Sequence, residues 1–387
     1  MTRSVVIVAA RRTPIGKGHP ERGDLRTVHP VDLGAHVLQA VLTDAEVDPK
    51  DVDMVHFGCV GQIGEQSTNI ARQSVLAADF PVTVPAATVD HQCGSSEFAI
   101  HTAAALIAAG VNDIAIAGGV ESMSHIPMGA SFLHGPGTPF PESVMSKYAL
   151  TNQGIAAEMI AEEWHLTRNA CDAFAVTSQE RAAAAAARGA FNQEIAPVAV
   201  VENGTTRMIS HDQGIRPGTT LEGLSSLKPA FREDGILHAG NSSQISDGAA
   251  ALLLMSEETA HRRGLTPLAR ISAQVSVGVD PVTMLKGPIP ATQQLLARSG
   301  HRVEDIDLFE INEAFAPVVL AWQHELGADL AKVNVNGGAI ALGHPLGASG
   351  ARLMTTLIHA MIERGAHLGV QSMCCGGGLG IATLLER

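Results

Sequence analysis

One order of elements runs through this chain twice, and no other feature of the sequence restricts the fold as much. Val5 to Ala9, Val52 to Phe57, Ile114 to Ala117 and Ala250 to Met255 are short and largely apolar, broken only by Asp53 and His56, and predict buried parallel strands. Between them, Asp32 to Glu46, Asn69 to Ala78 and Ser95 to Ala109 have the spacing of amphipathic helices. The grammar then returns: a strand at Ala269 to Val277, a helix at Ala291 to Ser299, a strand at Ile306 to Ile311 and a helix. After these come a strand at Lys332 to Val335, a helix at Ser349 to Glu363, and strands at His367 to Met373 and Gly380 to Leu385. Asp51-Val52-Asp53-Met54-Val55 matches Asp305-Ile306-Asp307-Leu308-Phe309 at an offset of 254, and helices ending at Gly110 and Gly365 match at 255. A duplicated α/β chain with its halves packed together is the economical reading; two unrelated α/β units are the other.

The last two strands of the first half are separated by the 130 residues from Gly119 to Gly248, rich in glycine, proline, serine and histidine. Such an excess predicts an inserted loop domain. Its helices are expected at Thr151 to Trp164 and from Arg168 through the alanine run at 182–187, a strong helix former. The expected units are therefore 1–118 completed by 249–268, the insertion 119–248, and 269–387.

Composition narrows the function. With 387 residues, 45% hydrophobic and only 17% charged, the chain is too long for a minimal metal or disulfide scaffold and too apolar for broad disorder. Apolar runs such as Ala249 to Met255 fall far short of the roughly 18 residues of a membrane span. A net charge of -13 argues against nucleic acid or anionic membrane as partner. Five cysteines (Cys59, Cys93, Cys171, Cys374 and Cys375) without metal-ligand spacing, and a beginning from Met1 to Gly16 unlike a signal peptide, point to the reducing cytoplasm and to no metal.

Four places carry candidate chemistry. Cys93, in His91-Gln92-Cys93-Gly94-Ser95-Ser96, stands where a strand gives way to a helix, whose N-terminal dipole favours a thiolate. Asn336 to Gly350, with His344-Pro345 at its centre, opens the matching helix of the second half, and its glycines imply close backbone approach. Asn312-Glu313-Ala314-Phe315 and Cys374-Cys375-Gly376 follow strands at their C-terminal ends, where open α/β sheets hold ligands. Singly, each has a plainer reading: a buried cysteine, a packing loop, a helix cap, a small core residue. Jointly they place reactive groups on one edge of the sheets.

These motifs, with Arg12-Thr13-Pro14-Ile15-Gly16, Gly118-Gly119-Val120-Glu121-Ser122-Met123-Ser124, Ala239-Gly240-Asn241 and Asp247-Gly248, make the chain resemble the thiolases, acyl-CoA C-acetyltransferases, over essentially its whole length. The resemblance implies the α/β thiolase fold: two duplicated βαβαβαββ halves in five α-β-α-β-α layers with an inserted loop domain. It implies thiolytic cleavage of 3-oxoacyl-CoA and the reverse condensation of two acetyl-CoA. It implies coenzyme A and acyl-CoA as substrates, no permanently bound cofactor, and a homodimer or homotetramer. Cys93 would be the nucleophile, His344 its base, and Cys374 the group that moves the α-proton. Asn312 with His344 would form one oxyanion hole, and the N–H groups of Cys93 and Gly376 the other.

For coenzyme A the resemblance points to Leu227, Lys228 and Phe231 as a wall, and to Ala239 and Ser243 at the pantetheine. Met284 and Phe315 match acyl-pocket positions. The acidic chain also needs local positive charge, for which Arg207, Arg216, Lys228 and Arg232 in the insertion are the candidates. Two departures stand out: Cys-Gly-Ser-Ser at the nucleophile, and Asn152-Gln153-Gly154 where biosynthetic members often carry His-Met-Gly. A thiolase-fold subunit that binds acyl-CoA without catalysis is the alternative function, and a metal-binding protein a weaker one.

Overall fold

The computed structural model describes residues 3–133 and 135–387; Met1, Thr2 and His134, in the expected first half and insertion, lie outside them. The strands are β1 (Val5–Arg12), β2 (Gly16–Lys17), β3 (Met54–Gly58), β4 (Ala86–Val89), β5 (Ile114–Ser122), β6 (Val198–Glu202), β7 (Thr205–Ile209), β8 (Ser246–Ser256), β9 (Ala269–Gly278), β10 (Leu308–Ile311), β11 (Leu368–Cys375) and β12 (Leu379–Glu386). The main path runs β10-β11-β12-β9-β1-β8-β5-β3-β4, with β2 beside β8. Its two halves meet at β1 and β9 through two residue pairs, Val6 with Arg270 and Ile7 with Ala269. Each half repeats one order, β3-β5-β8-β1 against β10-β11-β12-β9, with β4 extending the first half beyond β3, so the duplication is written in the pairing itself.

Two expectations about strands are corrected. Only β3 runs parallel to its neighbours β4 and β5 in the first half; β8 is antiparallel to β5 and β1, and β1 to β9. An unbroken apolar run reports burial on both faces, and helical layers on either side supply that whatever the strand direction. The strand expected at Lys332 to Val335 is instead a tight turn, Leu330–Lys332, followed by one parallel bridge from Val333 to Phe309. Asn334, at φ +47, replaces the ladder: its Oδ1 accepts the Ile311 N–H at 2.8 Å and its Nδ2 donates to the Ile311 carbonyl at 2.9 Å.

Helices fill three layers. Pro30–Ala45, with Leu33, Val37, Leu38 and Val41 on its buried stripe, covers the outer face of the first sheet beside Ile70–Ala77. Pro288–Ser299 and Ala316–Leu326 do the same for the second. Between the sheets lie Ser95–Ala108 and Ser349–Arg364, packed together through Ile100, Ile107, Met354 and Leu357. Ser95–Ala108 buries even Ser95, Ser96, Glu97 and His101, as a helix enclosed on all sides must. From the insertion come Gln153–Glu163, Arg168–Ala187 and the hairpin β6-β7. No helix among the described residues is long and apolar enough to cross a membrane.

Candidate active site

After β4 the chain turns through Asp90, His91 and Gln92 into the first central helix. Gln92 adopts φ +52, which costs a non-glycine residue about 1–2 kcal/mol. Three bonds hold it there: Gln92 N–H to Asp90 Oδ1 at 2.8 Å, His91 N–H to Ser95 Oγ at 2.9 Å, and Ser95 Oγ–H to the Gln92 carbonyl at 2.6 Å. Cys93 follows, 3% exposed. Burial pushes its thiol up to about 11, opposed by the nearby Gly376 N–H, its own N–H and the Gln153 amide. Gly94 is favoured for another reason: a Cβ there would lie 2.7 Å from Cys375 Sγ and 3.0 Å from Ile381 Cγ2.

His344 sits on the loop before the second central helix. Gly343 turns into it at φ +111, a conformation left to glycine. The His344 N–H donates to the Gln244 carbonyl at 3.0 Å and to Ser246 Oγ at 3.1 Å. On the ring, Nδ1 lies 2.6 Å from Ser349 Oγ, and Ser349 gives its own proton to the Pro345 carbonyl at 2.8 Å. Ser349 therefore accepts from Nδ1–H, while Asn312 Nδ2 donates to Nε2 at 3.3 Å. This network assigns the lone pair to Nε2. Burial, and behind it the charge of Arg352, lowers the imidazole to about 3, so it is neutral at physiological pH. Asn312 Oδ1 is buried with no hydrogen-bond partner among the described residues, the state of a polar group meant for water or ligand.

Both loops are tied together where the central helices begin. The Ala351 N–H donates to Ser96 Oγ at 2.9 Å. Gly58 has Gly347 O and the Ser95 backbone both 2.6 Å from where a Cβ would stand. Glu121, at the end of β5, accepts from the N–H groups of Val60 and Gly347 on one oxygen and from Gly61 N–H and Gln66 Nε2 on the other, at 2.8–3.0 Å. Burial raises its carboxyl, and these four donors oppose that. Ser349 and Glu121 lay within motifs visible in the sequence, but nothing local marks what they touch.

Cys374 and Cys375 end β11 and face opposite sides, as neighbouring strand residues do. Cys375 joins Cys93, Leu353 and Ile381; Cys374 joins the cluster holding Met284 and Phe315. Burial pushes the Cys374 thiol up, and so does the nearby Cys93.

The residues expected to wall coenzyme A gather around Phe315. Phe231 meets it edge-on with ring centroids 5.6 Å apart, and Ser243 N–H donates to the Ala314 carbonyl at 2.9 Å. Leu227 packs on Gly240, and Ala239 is exposed on a loop held by Asn241 Nδ2 to Asp172 Oδ1 at 2.9 Å. The positive charges divide. Arg207 pairs with Asp24, and Arg232 with Glu162 and Asp234, so their charge is already matched. Arg216 and Lys228 are exposed and form no salt bridge among the described residues; Arg216 Nη2 donates to Gln244 Oε1 at 3.3 Å. A buried thiol, a neutral imidazole whose Nε2 carries the lone pair, and N–H donors suit acyl transfer through a thioester.

Known proteins agree. The family models described as thiolase N-terminal domain and thiolase C-terminal domain match residues 5–258 and 265–387. A 3-ketoacyl-CoA thiolase of Marinobacter nauticus is 45% identical over 100% of this chain and 98% of its own. A steroid 3-ketoacyl-CoA thiolase of Mycobacterium tuberculosis is 47% identical over 100% and 95%. The crystal structure of the Bacillus anthracis acetyl-CoA acetyltransferase superposes with TM-score 0.92 at 41% identity, covering 100% of this chain and 99% of that one. Fold and kinship thus define an acyltransferase. More particularly, the chain belongs to the thiolase family.

Proposed function

We propose that the protein cleaves 3-oxoacyl-CoA with coenzyme A to acetyl-CoA and a shortened acyl-CoA, and runs the reverse condensation of two acetyl-CoA. His344 Nε2 takes the Cys93 proton, and the thiolate attacks the 3-oxo carbon. The tetrahedral oxyanion is met by the N–H groups of Cys93 and Gly376. Collapse transfers the acyl group to Cys93 and leaves the acetyl-CoA enolate, whose oxygen faces His344 and the Asn312 site. Cys374 protonates its carbon, and coenzyme A then takes the acyl group. Losing one oxyanion donor typically costs a hundredfold or more; the reading is carried by the buried Cys93 thiol together with a neutral His344 whose Nδ1–H is held by Ser349 and whose Nε2 keeps the lone pair.

Leu227, Phe231, Ala239, Ser243, Met284 and Phe315 form the pantetheine and acyl channel in this reading, with Arg216 and Lys228 at the phosphates. We further infer domains at 1–118 with 249–268, 119–248 and 269–387. The protein works as a cytoplasmic homodimer or homotetramer on acyl-CoA, without a resident cofactor, metal or nucleic acid; its five free cysteines suit a reducing compartment. The test is intact-mass analysis after mixing with acetoacetyl-CoA. An acetyl adduct on the wild type that Cys93→Ala lacks is expected. No adduct, or one that survives Cys93→Ala, overturns the proposal. Thiolysis rates across 3-oxoacyl-CoA chain lengths then define the substrate.

A further inference from the structure

The departure at Asn152-Gln153-Gly154 falls at the nucleophile itself. Gln153 is the first residue of the helix Gln153–Glu163, and its position is fixed from three sides. Thr151 Oγ–H donates to the Val282 carbonyl at 2.8 Å, Asn152 Oδ1 caps the helix by accepting from Ile155 N–H at 3.0 Å, and Gly154 lies flat against the Phe231 ring. The half-buried Gln153 side chain reaches Gly376 and the Cys93 sulfur. Its Nε2 lies 3.1 Å from the point where a Cβ on Gly376 would stand, and Gln92 Oε1 lies 3.0 Å from that same point. An amide donor and an amide acceptor therefore both lie about 3 Å from one point on Gly376, beside the proposed thioester and its Gly376 N–H.

We propose that Gln153, together with Gln92, selects acyl groups that carry a hydroxyl close to the thioester carbonyl. The inference rests on acylation of Cys93 as proposed above. A hydroxyl suits both amides, accepting from Gln153 Nε2 and donating to Gln92 Oε1. An unsubstituted alkyl chain removes water from both amides and replaces neither bond, which is how a polar pocket rejects an apolar analogue. Gln153 is rigidly placed, so the pocket does not escape this mismatch by moving the helix. Purely apolar lining at this position would have no such preference.

Acylation alone tests the idea with a matched pair, 3-hydroxybutyryl-CoA and butyryl-CoA. The Cys93 thiolate attacks the thioester carbonyl, the bond to the coenzyme A sulfur breaks, and coenzyme A leaves as the thiol with the proton held by His344. Quenched-flow mass spectrometry reads the adduct on Cys93. Wild type is expected to acylate faster with the hydroxylated ester by about tenfold or more, and Gln153→Met to remove or reverse that ratio. Gln153→Met is also expected to raise the pH at which iodoacetamide alkylates Cys93, a readout that misfolding would not mimic. A wild-type ratio near one, or a ratio unchanged in Gln153→Met, overturns the selectivity while leaving the thiolase reading intact. Absence of any Cys93 adduct with either ester overturns both.

Discussion

Replacing Gly94 with alanine tests whether Gly94 and Cys375 are one packing unit. The new methyl would stand 2.7 Å from Cys375 Sγ and 3.0 Å from Ile381 Cγ2, inside the roughly 3.5–4.0 Å of comfortable contact. Both neighbours are fully buried, so neither swings into solvent. Overpacking of this kind costs about 1–3 kcal/mol, and the stiffer unfolded chain offsets about 0.4–1 kcal/mol of it. A net loss of about 1–2 kcal/mol is expected. Cys375→Ala alone removes a buried sulfur and also destabilises, but together with Gly94→Ala it opens room for the methyl. The double mutant should then retain at least about 1 kcal/mol more stability than the two single losses predict. Urea titration of the four proteins, followed by circular dichroism, measures this. Thiolysis assays should show kcat falling about tenfold in Gly94→Ala, because the Cys93 N–H moves with its neighbour, and recovering in the double mutant. Additive stability losses, with the double mutant equal to the sum within about 0.5 kcal/mol, would refute the steric argument.

Three other perturbations are sharp. Glu121→Gln keeps the shape but faces an amide N–H₂ toward two N–H donors, leaving two buried donors unpaired at about 1–3 kcal/mol each; a urea midpoint equal to wild type would show that Glu121 does not join the Val60 and Gly347 loops. Ser349→Ala frees His344 Nδ1, and kcat should fall about tenfold or more with KM little changed; an unchanged kcat would remove Ser349 from the orientation of the imidazole. Burial raises Glu97 to about 8, against the donors Thr383 and Gln371. Its contribution is therefore complete below its unfolded value near 4.5 and is lost as pH rises toward 8. Across that window wild type should lose stability relative to Glu97→Gln, and parallel urea midpoints would sink the claim.

Several elements were legible because their signals are local. The buried strands declare themselves as apolar runs, Pro30–Ala45 by its stripe, and the alanine run by propensity. Cys93, Asn312, His344 and Cys374 were each visible as polar or reactive residues at element ends, where open sheets hold ligands. Strand direction was not visible, since β1 and β8 are buried on both faces whichever way they run. The supposed strand at Lys332 to Val335 failed because Asn334 meets Ile311 through its side chain, a long-range choice that propensity does not record. Arg207 and Arg232 looked available for phosphate until Asp24, Glu162 and Asp234 proved to be their partners.

By itself, then, the sequence determined the repeat and most of the kinds of element, and marked candidate reactive groups at element ends, because periodicity and propensity act over a few residues. Packing decided the rest. The Gly376 N–H reaches the Cys93 sulfur across 283 positions of chain, Gln153 comes from the insertion, and Ser349 selects which nitrogen of His344 keeps its lone pair. Such meetings follow from two sheets closing on a pair of helices, and no window of neighbouring residues contains them.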